Sequence, residues 1–141
     1  MIARADINAS YEVECERLDA EYESKAAALR TVVAVRLAAY HRADAEFEAS
    51  HDRLDAMVAN RPKCATYNAA FSAREAEDRT YEFTRLLGVR ADSLSVDYHK
   101  AFDDLTDAEA KHDQKHVKLF EDGSLAWARQ EDEELLLDTC L

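Results

Sequence analysis

Two Glu-x-x-His motifs, Glu48-Ala-Ser-His51 and Glu109-Ala-Lys-His112, are the residues in this chain best placed by type and spacing to do chemistry. On a helix, residues three apart share a face, so a carboxylate and an imidazole there can hold one metal ion together. Ferritin-like di-iron proteins use the pattern on two helices and draw a single glutamate from each of two others. Glu14 or Glu16, and Glu75 or Glu77, lie at similar distances upstream of the two motifs. The set predicts a metal-binding four-helix bundle that would store iron, or use iron or another transition metal to activate oxygen.

A second candidate is local. Glu109, His112 and His116 sit at i, i+3 and i+7 on one helix face, and two histidines four apart commonly chelate a transition metal. A plainer role competes with it: His112 and His116 as polar seam residues paired with carboxylates on a facing arm. Counting back from the turn sets His112 opposite the Glu12 to Glu16 cluster. The ferritin-like order also needs a long crossover, whereas the connection at Arg61 to Lys63 is short. The reading adopted is therefore no metal and no cofactor, with Glu48, His51, Glu109, His112 and His116 as the ligands if a site exists.

Other chemistry is poorly supplied. Cys64 stands next to Lys63, but no histidine or carboxylate is placed by sequence to activate it. Two glycines cannot build a phosphate-binding loop. No enzyme activity is expected. Cys15, Cys64 and Cys140 lack metal-ligand spacing and read as reduced thiols, which suits an intracellular, cytoplasm-like compartment. The net charge of −12 disfavours both the nucleic-acid backbone and anionic membranes as partners. The first residues have neither the apolar core of a secretory signal nor the basic character of a transit peptide.

The elements that must carry these residues are helices. With only two glycines and one proline in 141 residues, the chain lacks the turn residues that sheets need. Cys15, Leu18, Tyr22, Ala26, Leu29, Val33, Leu37 and Tyr40 form one apolar stripe at helical spacing, continued by Asp44, Phe47, His51, Leu54 and Val58. Its phase never resets, so the outgoing arm, about 4–60, is read as one helix. Asn60 and Pro62 close it, with the turn at 61–63.

A returning arm of matching length, about 64–121, carries Phe71, Leu86, Leu94, Tyr98, Phe102, Leu105 and Leu119 toward the seam. Gly88 predicts an interruption near 88–91, with Asp92 and Ser93 as caps for the next segment. Gly123 predicts a separate terminal helix, about 125–138. The expected fold is all-α, a long coiled-coil-like antiparallel hairpin with a short C-terminal helix. The alternative is a compact up-down four-helix bundle with a turn hidden near Arg30-Thr31.

A two-helix hairpin buries one seam per helix and leaves apolar residues over. The expected function is accordingly non-enzymatic: a strut, adaptor or assembly component that binds protein partners or itself. Trp127, Leu135, Leu136 and Leu137 are the expected interface, because tryptophan is a frequent interface anchor. Glu131 to Glu134 read as a solvated acidic face.

Overall fold

The computed structural model describes residues 4–63 and 66–140, with the side chains of Thr139 and Cys140 left out. Two helices account for nearly all of it: α1 (Arg4–Ala59) and α2 (Tyr67–Cys140). They run antiparallel as a helical hairpin, with no strand among the described residues. The four-helix alternative is overturned, because α1 passes through Arg30-Thr31 without a turn. The unbroken apolar phase had required this continuity.

The connection spans 60–66, wider than the turn at 61–63. Asn60 ends α1 with two bonds to one acceptor: its backbone N–H and its side-chain Nδ2 both donate to the Ala56 carbonyl, at 3.0 and 2.8 Å. Thr66 caps α2, its hydroxyl accepting from the Ala69 N–H and its carbonyl from the Ala70 N–H.

The expected interruption at 88–91 and the separate terminal helix at 125–138 are not found. α2 is a single helix through Gly88 and Gly123. Neither glycine has a left-handed backbone, so neither is a cap. Each instead lies under an aromatic ring of α1. A Cβ on Gly88 would come within 3.0 Å of Phe47, and one on Gly123 within 3.5 Å of Tyr11. The glycines make room across the seam rather than ending helices, and Asp92 and Ser93 are exposed helix-interior positions.

The chain divides into two compact units. One joins the described residues up to Arg30 with those from Asp103 onward. Its pairings are antiparallel: Arg4 with Glu131 and Glu134, Asn8 with Trp127, and Asp19 with His112 and His116. The other unit is Thr31–Phe102, where Arg36 reaches the Asp97 carbonyl, Phe47 covers Gly88, and Ser50 meets Thr84. At that register α1 ends before the first two turns of α2 are covered. Arg61 and Pro62 lie beside Ala70 and Ala73 there, and Arg61 holds Glu77 through two bonds of 2.7 Å.

Both units pack through small residues. Among the described residues the buried apolar side chains are Leu18, Ala26, Ala43, Ala91, Ala101 and Ala108, and no large side chain is fully enclosed. A buried methyl contributes about 0.8 kcal/mol against about 1.5–3 for a leucine, so stabilisation is spread thinly over many turns. Leu18, Tyr22, Leu29, Val33, Leu37, Tyr40, Phe47 and Leu54 on α1 all face the seam, as do Leu94, Tyr98, Leu105 and Leu119 on α2. Phe71, Leu86, Phe102, Val58 and His51 do not. The true inner positions beside the last three are Ala101, Met57 and Ser50. Where two helices approach closely, alanine and serine fit the centre and the larger neighbour is turned out.

Candidate functional site

The most concentrated polar site lies in the unit formed by the chain ends. α2 carries His112 and His116 one turn apart, and α1 presents Asp19 to both. The two Nε2 atoms lie 2.9 and 2.7 Å from the same Asp19 oxygen and 3.1 Å from each other. Both imidazoles are half-buried, while Asp19 reaches them from the exposed side of α1. Tyr22 stacks on His112, centroids 4.3 Å apart, which fixes that ring. Hydrogen bonds from His116 and then His112 hold the Asp19 carboxyl below the usual carboxylate range.

The expected facing cluster for His112, Glu12 to Glu16, is therefore corrected by a shift of the register to Asp19. The cause is the overhang of α2 at the turn, which moves every pairing along α1. Glu109 points to solvent and is not in the cluster. The role expected for His112 and His116, paired seam residues, is what the geometry supplies.

The two Glu-x-x-His motifs fall in different units. His51 is exposed and groups with Asp52 and Asp55 rather than with Glu48. Glu77 is committed to Arg61, which keeps its carboxyl more acidic than usual, and Glu14 is held by Arg17. Within each unit, therefore, one Glu-x-x-His motif stands without the other. Cys15 is a half-buried free thiol. Cys64 and the Cys140 side chain lie outside the described residues.

Trp127 folds back on its own unit. Its indole N–H donates to Asn8 Oδ1 at 3.0 Å, and the Arg4 guanidinium sits 5.0 Å above its ring. Arg4 also reaches Glu134 at 3.1 Å, so the acidic run partly serves α1. Leu135, Leu136 and Leu137 remain exposed.

A second surface was missed in the sequence. Tyr67, Phe71, Glu75, Asp78, Glu82, Leu86, Val89, Ser93 and Val96 follow helical steps of three and four along α2, and all are exposed. Most stand two residues before an inward position such as Ala73, Glu77, Thr80, Thr84, Gly88, Ala91 or Tyr98. Two residues turn a helix by about 200°, so this stripe lies on the face opposite the seam. It is apolar at both ends and acidic in the middle. Tyr67 is 81% exposed, Phe71 53%, Leu86 53%, Val89 55% and Val96 67%. The signal was present in Phe71 and Leu86, which the sequence reading assigned to the seam.

No helix among the described residues is long and apolar enough to cross a membrane. Comparison with known protein families, curated proteins and solved structures gives no match for this chain.

Proposed function

We propose that the chain is a non-enzymatic interaction protein, a helical hairpin that docks another protein along the outer face of α2. The observation that carries this is the exposed stripe of Tyr67, Phe71, Leu86, Val89 and Val96 opposite the seam. Large apolar residues aligned on one face, rather than scattered, mark an interaction surface. Its acidic middle, Glu75 and Asp78 beside a Glu82 that Arg85 already holds, selects the partner: an amphipathic helix with apolar ends and a basic centre. Pairing two copies through the stripe would set these carboxylates against one another. The seam itself is already occupied, so the docking face and the folding face are separate.

The test uses a synthetic helix with leucines at heptad spacing and lysines in its two central turns. Leu86→Gln with Val89→Gln should weaken its binding at least tenfold, and a glutamate-centred peptide should bind no better than that variant. Glutamine is a good helix former and these side chains are half or more exposed, so thermal unfolding should barely change. Equal binding of the peptide by wild type and variant would refute the assignment.

A further inference from the structure

We propose that Asp19, His112 and His116 form a binding site for a divalent transition-metal ion, zinc or its neighbours nickel and copper. The proposal is independent of the docking surface. It rests on how three ligating atoms converge: Asp19 Oδ1 and the two Nε2 atoms are 2.7, 2.9 and 3.1 Å apart. Donors about 2.0–2.1 Å from one cation lie roughly 2.9 Å apart at right angles and roughly 3.3 Å apart at the tetrahedral angle, so the observed edges need open by only a few tenths of an ångström. An ion seated above the triangle would reach all three with little movement.

The proton inventory points the same way. Two imidazoles that both carried a proton on Nε2 would set donor against donor at 3.1 Å. Without an ion, one ring must turn a lone pair toward the other's N–H. A bound cation takes both lone pairs at once and keeps the Asp19 contact. Two histidines four apart on α2 supply a preorganised pair, and the Tyr22 stack removes ring freedom from one of them.

The donor set chooses the metal class. Imidazole suits zinc, copper and nickel, whereas magnesium and calcium prefer oxygen donors throughout. Three protein donors leave a coordination position for water or a partner's side chain. Because Asp19 is on α1 and both histidines are on α2, the ion would clip the two helices of this unit together.

The experiment is titration of the full-length chain with Zn2+, followed by calorimetry and by 15N spectra of the histidine rings. One ion per chain is expected, with the ring signals of His112 and His116 moving and those of His41, His51 and His99 unmoved. Asp19→Asn and His116→Ala should each weaken binding about tenfold or more, while His51→Ala leaves it unchanged. The ring spectra read the wild-type chain, so the test stands even where a variant folds poorly. No saturable binding overturns the proposal. So does binding lost in His51→Ala or Cys15→Ser but kept in His116→Ala.

Discussion

Replacing Gly123 with alanine separates a continuous α2 from a helix capped at that residue, because the two predict opposite signs. In a helix interior alanine is favoured over glycine by about 0.8–1.0 kcal/mol. The added methyl would meet only Tyr11, at 3.5 Å, an ordinary contact distance. Gly123→Ala should therefore stabilise the chain by about 0.5–1 kcal/mol, raising Tm by about 2–4 °C. A left-handed cap would lose about 1–2 kcal/mol on gaining the same methyl.

Gly88→Ala gives an internal comparison. There the methyl meets Phe47 at 3.0 and 3.3 Å, so the ring must retreat and part or all of the helix gain is lost. Phe47→Leu in the Gly88→Ala background should restore some of it. Urea unfolding followed by circular dichroism at 222 nm resolves differences of this size. A Gly123→Ala chain that is less stable or less helical than wild type would refute the continuous helix.

Other expectations follow from buried and paired groups. Thr84 donates its hydroxyl to the Thr80 carbonyl, so Ser50 must be the donor in the 2.6 Å bond between Ser50 and Thr84. Thr84→Val should cost about 1–3 kcal/mol by stranding the Ser50 hydroxyl, and Ser50→Ala about 0.5–1.5. The double variant should cost less than their sum, as urea midpoints of the four chains will show. Glu77 and Asp19 are both more acidic folded than unfolded. The unfolded chain then binds more protons in acid, so these groups stabilise fully above about pH 4.5 and lose that contribution as pH falls through their lowered folded values. Glu77→Gln should flatten the acid limb of the urea midpoint against pH.

The hairpin was legible in the sequence because its evidence is periodic. An unbroken phase from Cys15 to Tyr40 leaves no place for a turn, and Asn60 with Pro62 marks where the chain reverses. What failed was the meaning of single residues. Gly88 and Gly123 read locally as caps, yet their role is set by Phe47 and Tyr11, which lie far away in sequence. Phe102 and Val58 outrank Ala101 and Met57 by size or branching, but a close two-helix seam selects by available space. The histidine pair was visible from its spacing, and a carboxylate partner from the facing arm was expected. Its identity depended on a register shift made by the loop, to which helical periodicity is blind. The outer stripe was hidden for the same reason as the inner misassignments: Phe71 and Leu86 have core composition and an outward phase.

The most direct test of the docking face is a methyl NMR titration of the chain with the lysine-centred amphipathic helix. The expected shifts are at Leu86, Val89 and Val96, with the exposed valines of α1, Val13 and Val35, unmoved. Shifts spread along the inner residues Leu18, Val33 and Leu37, or none at saturating peptide, would contradict it.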